Sequence, residues 1–476
     1  MLLLLLAATL LSCRDAPDDS VAEDSDPQPD TSPADDSAPP DDSAPPDDTG
    51  TPPVQGFALA LDPDVVTLIH ATWSDPGSSQ AWVEYRFEDG DWRQAPSTED
   101  GQAVILGVPS EVEVTARVGL VVDGQTRSSE PLSITTGHLP TGLLSPEVSA
   151  YREDLAYDAE YAMIVVASGN YTFSPPYWIQ IFDRQGRIVW YQKVLDNMMT
   201  FYPSVSRDGT HIWFEAENIF GTGSVSPYVT RQTLDRRWIW ELEVPWLGEA
   251  IAEGPDDAFY FETRKGGVRE LSRIDPDGTV TREWDCAAWF ASHGMEPAYC
   301  SMNTCNWSET RNTVLVSQFY TDTVFEIDLS TGQPIRQMGQ LGIGDPWSFD
   351  PPDSLFDYQH YPYWTDEGTL LVSTHVVGRY GVQVAAEYVA HDDTSTLERV
   401  WSYLSTDLWA TQCGEAIRLP NGNTTQGYGQ DGAVREVTPD GLVVWQAVWP
   451  RDAEGYRVVG HLSFIPDLYA LNRGPW

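Results

Sequence analysis

The stretch FDYQHYPYWTDEGTLLVSTH, residues 356–375, carries two of the eight histidines in this 476-residue chain. His360 follows Gln359 and opens an apolar run. A neutral imidazole is a competent nucleophile near pH 7, and a group transferred to it can be handed on. An anion handled by such a histidine needs fixed donors. The candidates are Gln359 beside it and Asn303, Arg457 and His461 from distant segments. No Ser-His-Asp order, paired-carboxylate motif, phosphate-binding loop or GxGxxG competes with this set. A repeating fold would bring such scattered residues together by construction.

A repeat is present. Six hairpin-like units recur: IQIFDRQGRIVW (179–190), TRQTLDRRWIW (230–240), LSRIDPDGTVTREW (271–284), VFEIDLSTGQPIRQMG (324–339), EYVAHDDTSTLERVW (387–401) and VREVTPDGLVVW (434–445). Each turn is rich in Asp or Gly, the residues such turns need. Between the hairpins lies a second kind of strand pair, such as QHYPYWTDEGTLLVSTH. Four strands at a period of about 50 residues predict β-propeller blades. Six hairpins predict six blades over residues 145–476. The first copy lacks an inner strand and the last lacks outer strands. The segment YRVVGHLSFIPDLY is therefore expected to close the ring against 160–190, leaving no open edge. Trp190, Trp240, Trp284, Trp401 and Trp445 sit at equivalent repeat positions and are expected to pack blade on blade.

In a propeller the inner strands line a central funnel. The residues expected there are Phe201 and Tyr202, Glu249, Ser301 and Asn303, Gln359 and His360, Glu415, and Arg457 with His461. His375 and Arg379, beyond the strand of His360, are expected away from the funnel, and His211, His293 and His391 on the surface.

Residues 56–140 read differently. Short alternating runs, with turn residues every 8–12 positions, predict an immunoglobulin- or fibronectin-III-like β-sandwich with Trp73 and Tyr85 in its core. The chain is thus read as all-β. It begins MLLLLLAATLLSC, a run too short to span a bilayer. Its end resembles a bacterial lipobox, which predicts a signal peptide over 1–12, lipidation of Cys13 and a place at the outer membrane. A plain secretory signal is the alternative. The segment from 13 to 55 holds thirteen acidic residues against one arginine, repeats DDSAPP in tandem and predicts a disordered stalk. The membrane is thus a partner through the lipid anchor only.

The net charge of −45 excludes nucleic acid as a partner. It also means that an anionic ligand needs a local positive patch. Setting Cys13 aside leaves Cys286, Cys300, Cys305 and Cys413, an even number in an exported chain. Two disulfides are expected, Cys300–Cys305 and then Cys286–Cys413 being favoured among the three pairings. The spacing is not that of a zinc site.

The segments YQHYPYWTDEGTLLVS (358–373), IRLPNGNTTQGYGQDGAVREVTPDGLVVWQ (417–446) and GYRVVGHLSFIPDLY (455–469), in that order, resemble the bacterial arylsulfotransferases over roughly 145–470. The resemblance implies a sandwich followed by a six-bladed propeller. It also implies transfer of a sulfuryl group from a phenolic sulfate ester to a phenol through a sulfo-histidine at His360, with no metal or other cofactor. Two positions depart from the family pattern. His-x-Asn is here Ser301-Met302-Asn303, and Ser-x-Arg is Ser317-Gln318-Phe319. With those groups replaced, a funnel that binds a small ligand or partner without turnover is the alternative.

Overall fold

The computed structural model describes residues 54–474 apart from 75–76, 99–100, 170–172, 196, 219–225, 267 and 452–456. The expected signal peptide, Cys13 and stalk lie outside the described residues. Among the described residues no helix is long and apolar enough to cross a membrane.

The first eight strands form one continuous sheet. Its order runs Gln55–Leu61, Ile69–Ser74, Gln102–Ile105, Arg93–Thr98, Gln80–Phe87, Glu113–Val122 and Gln125–Ser128, with Leu132–Thr135 also on Glu113–Val122. Alternate residues turn inward, as the period of a strand requires. Val114, Ala116, Val118 and Leu120 meet Ile69, Ala71, Val83 and the expected aromatics Trp73 and Tyr85 in one core.

Six four-stranded antiparallel units follow, three as separate sheets, two joined in one nine-stranded sheet and one within a five-stranded sheet. The first joins Tyr161–Ala167, Tyr177–Asp183 and Ile188–Lys193 to the C-terminal strand Val459–Ile465. That last strand pairs antiparallel with Tyr161–Ala167, Ile465 opposite Tyr161, and so closes the circuit as expected from the incomplete repeats. The others begin with the inner strands Ser204–Val205, Leu247–Glu253, Met302–Ser308, His360–Trp364 and Gly414–Arg418. Pro346–Asp350 bridges the fourth and fifth sheets by parallel pairing, and Glu147–Tyr151 extends the sixth. The result is an all-β, propeller-like fold.

Three of the five repeated tryptophans bind sheet to sheet through the indole N–H. Trp190 Nε1 donates to the Leu234 carbonyl in the second sheet at 2.8 Å. Trp401 Nε1 donates to Pro439 in the sixth at 2.8 Å, and Trp445 Nε1 to Arg184 in the first at 3.1 Å. An indole buries a large apolar area and has one donor to satisfy. A carbonyl at the edge of the next sheet meets both needs.

The cysteine pairing differs from expectation. Cys286 is bonded to Cys300, with Cα atoms 5.9 Å apart. Cys305 and Cys413 are free. Cys305 lies inside the strand Met302–Ser308, opposite Val316. A strand advances roughly 3.3 Å per residue, which carries Cys305 too far from Cys300 for the short staple. Cys286 instead opens the helix Cys286–Ser292, whose N-terminus is capped by Asp285, and this turns its sulfur back to Cys300. His211, expected on the surface, is buried beneath Trp238, ring to ring at 5.1 Å.

Candidate functional site

The inner strands run in step from one cavity to another. The first cavity, of about 270 Å³, receives the leading ends of those strands: Phe201, Glu249, Ser301, Asn303, His360 and the Cys413-Gly414 pair. A second set of side chains comes from the turns joining second and third strands, or the strand ends beside them, in the first, third, fourth and fifth sheets. These are Phe173, Arg264 and Arg269, Phe319 and Tyr320, and His375 with Gln383.

His360 faces this cavity as expected. Its ring is hydrogen-bonded to the backbone of Gly414, and burial pushes its pKa down to about 4. The bond opposes that fall, as a carbonyl accepting a ring N–H does. The imidazole is therefore neutral at pH 7, one nitrogen tied and the other left with its lone pair. A Cβ at Gly414 would stand 2.4 Å from Gln383 Nε2 and 2.6 Å from Ser373 Oγ. A side chain at 414 would therefore displace Gln383 and Ser373, both of which line the cavity. Tyr358 (φ 50°), Tyr361 (φ 52°) and Cys413 (φ 57°) all sit in the left-handed region. Such outliers cost of order 1–3 kcal/mol each and gather at functional sites.

His375 belongs to the same cavity, contrary to expectation. His360 pairs with Ser373, and His375 lies two residues further along Leu370–Val376. Residues two apart share a face. Burial lowers the His375 pKa to about 4 as well.

The cations come from a hairpin that the repeat pattern did not single out. Glu262, fully buried, accepts Arg264 Nε at 2.7 Å and Arg269 Nη1 at 2.9 Å. Arg269 Nη1 also reaches Ser301 Oγ at 3.2 Å. A buried carboxylate thus holds two guanidiniums at the wall of the cavity. Glu249 Oε2 lies 3.6 Å from Arg264 Nη2. Burial raises the Glu249 pKa to about 7 against the pull of Arg264.

Of the other expected residues, Asn303 lines the cavity. Its Nδ2 donates to the Gln359 carbonyl at 3.0 Å, and its buried Oδ1 has no partner among the described residues. Gln359 does not line it. Its Nε2 donates to Ser317 Oγ, Gln318 O and Thr323 O at 3.0–3.2 Å and braces the fifth sheet against the fourth. Being adjacent to His360, it points to the opposite face. Arg457 Nε donates to the Pro450 carbonyl at 2.8 Å and its Nη1 to Ala167 O at 2.8 Å, binding backbone away from the cavity lining. His461 lines the second cavity instead, beyond a constriction that it shares with His360, Tyr361 and Glu415. Ser301 and Phe319, the two positions that depart from the family pattern, both line the first cavity. Among the described residues no group of His, Cys, Asp and Glu is arranged to hold a metal ion.

No family model matches the chain, and no curated protein matches it. Solved structures show similarity at low identity. A protein of unknown function from Bacteroides caccae is 16% identical with a TM-score of 0.45, over 65% of this chain and 100% of that one. A quinoprotein alcohol dehydrogenase-like protein from Bacteroides thetaiotaomicron is 9% identical with a TM-score of 0.28, over 87% and 98%. Virginiamycin B lyase from Staphylococcus aureus is 13% identical with a TM-score of 0.28, over 67% and 91%. None of these similarities carries a function across to this chain.

Proposed function

We propose that the chain is an arylsulfotransferase-like protein: a six-bladed β-propeller behind an immunoglobulin- or fibronectin-like sandwich, exported and anchored through Cys13. Its substrate is a phenolic sulfate ester and its acceptor a phenol. One observation carries this proposal. An unprotonated imidazole, two clamped guanidiniums and aromatic side chains share one small cavity. The volume, about 270 Å³, lies just below the range of about 300–1,000 Å³ usual for ligand sites.

In this scheme the free nitrogen of His360 attacks sulfur, the N–S bond forms, and the S–O(aryl) bond breaks. Arg264, Arg269 and Ser301 carry the negative charge of the sulfuryl oxygens. Phe319, Tyr320 and Phe173 cover the aryl ring. Asn303 Oδ1 accepts the hydroxyl of the incoming phenol. That phenol attacks sulfur, the N–S bond breaks, and neutral His360 returns. The acceptor's hydroxyl proton is released to water, so the net products are the donor phenolate, a proton and the new sulfate ester.

A binding role without turnover is the second reading. Phe319 stands in the cavity where the family pattern has arginine, and it favours an aromatic ligand over an anion. The full chain is to be assayed with 4-nitrophenyl sulfate and a phenol acceptor. Sulfotransfer expects acceptor-dependent nitrophenolate release that His360→Ala abolishes. Release no faster than in His360→Ala removes the catalytic role and leaves the binding role.

A further inference from the structure

The second cavity, about 360 Å³ at the trailing ends of the inner strands, includes none of the groups assigned above to sulfuryl transfer. It is walled by Trp307, Tyr363, Trp364 and Phe464, and Ser463 and His461 both line it. Ser463 Oγ lies 3.2 Å from His461 Nε2. His461 Nδ1 lies 2.8 Å from Glu415 Oε2. The other oxygen of Glu415 accepts the Leu462 backbone N–H at 2.7 Å, so the carboxylate is held from two directions.

We infer that Ser463, His461 and Glu415 form a nucleophile–base–carboxylate relay that cleaves a carboxylic ester bearing an aromatic or apolar group. Each member has the environment its role needs. Glu415 and His461 are 5% and 8% exposed, while Ser463 is half-buried and opens to the cleft. A carboxylate accepts and does not donate, so Nδ1 carries the ring proton and Nε2 presents its lone pair to Ser463. A base within hydrogen-bond reach of a hydroxyl, itself oriented by a third group, is the arrangement that activates serine. Chain order alone does not reveal it. Serine and histidine are two residues apart on the strand Val459–Ile465 and share a face, while the carboxylate comes from the neighbouring sheet. The side chain of Tyr361 packs over His461, ring centres 5.1 Å apart, and holds the imidazole from the axial side.

The step balances without a further reactant than water. Ser463 Oγ attacks the ester carbonyl carbon as its proton passes to His461 Nε2. The C–O bond to the leaving alcohol breaks, and that alcohol takes the proton. Water then adds to the acyl-serine with His461 as base, releasing the acid and restoring the serine. Asn306, in the same cleft, gives one Nδ2 hydrogen to the Pro362 carbonyl at 3.0 Å.

The full chain is to be treated with a fluorophosphonate probe, folded and in urea, and the adduct mapped by mass spectrometry. The folded chain is expected to take one probe on Ser463 and the unfolded chain none. Hydrolysis of 4-nitrophenyl butyrate is to be measured beside it. Ser463→Ala is expected to lose the adduct and at least about 100-fold in kcat/KM, and Glu415→Gln to lower kcat by about 10²–10⁴ with the fold retained. Should Glu415→Gln fail to fold, the probe and Ser463→Ala decide. No adduct on Ser463 in the folded chain, or butyrate hydrolysis unchanged in Ser463→Ala, overturns the relay. Neither result bears on sulfate-ester turnover, which is read with a different substrate at the other cavity.

Discussion

Arg269 lays its guanidinium against Ser301, Nη1 to Oγ at 3.2 Å, from a different sheet. Ser301 thus has a cation delivered to it from the neighbouring sheet. Glu262 fixes that cation from below and Arg264 beside it. Both guanidiniums come from the hairpin between Phe259–Lys265 and Val268–Ile274.

If Arg269 binds the sulfuryl oxygens, Arg269→Ala should lower kcat/KM for 4-nitrophenyl sulfate by roughly 10–100-fold. That is one charge-assisted hydrogen bond, about 1.5–3 kcal/mol. Arg269→Lys keeps the charge and should recover part of the loss. Steady-state kinetics on the three proteins checks this. Equal kcat/KM in wild type and Arg269→Ala would show that no anion is held there.

The acid limb of activity should lie near pH 4, not near the ordinary imidazole value. Burial lowers both His360 and His375 to about 4. Only below that pH does His360 lose its lone pair. On the alkaline side Glu249, raised to about 7, ionises beside the substrate anion. Like charge then raises KM above pH 7. A kcat/KM profile with its plateau between about 4 and 7 is expected, and Glu249→Gln should flatten the alkaline limb. An acid limb at 6.5 would place the catalytic imidazole in water and exclude a buried His360 as nucleophile.

The sheets were legible because a hairpin repeated at a steady period fixes strands, turns and register together. Even the closure by Val459–Ile465 followed from which strands the first and last copies lacked. The cavity was half legible. The leading ends of inner strands had to converge, which found His360 and Asn303. Their neighbours did not follow by position alone. Gln359 was lost to the one-residue alternation of a strand, and Arg457 to backbone carbonyls that its fork satisfies better than an open cavity does. Phe319 comes from a turn between second and third strands, and Arg264, Arg269 and His375 from the strand ends beside such turns. Nothing in a turn's sequence says which way it leans. The disulfide was misjudged for a related reason: the spacing of Cys300 and Cys305 suggested a loop, and the chain there is already a strand.

Closure of the ring also rests on a buried clasp. Arg184, in the turn after Tyr177–Asp183, is 3% exposed, and its Nη2 lies 2.6 Å from Glu436 Oε2 in the sixth sheet. Its guanidinium lies 4.5 Å from the ring centres of both Trp445 and Phe464, the latter on the closing strand. Glu436 Oε1 in turn accepts Tyr157 N at 2.6 Å and Asn423 Nδ2 at 2.7 Å. Removing one member strands the other as a buried charge, which costs about 3–5 kcal/mol. Arg184→Ala is therefore expected to lower the midpoint of urea unfolding sharply. Arg184→Met with Glu436→Gln, which removes both charges at similar volume, should recover much of the loss. If Arg184→Ala shifts stability by less than about 1 kcal/mol, the pair is a surface-like contact. The backbone pairing of Val459–Ile465 with Tyr161–Ala167 would then close the ring without help from the charged pair.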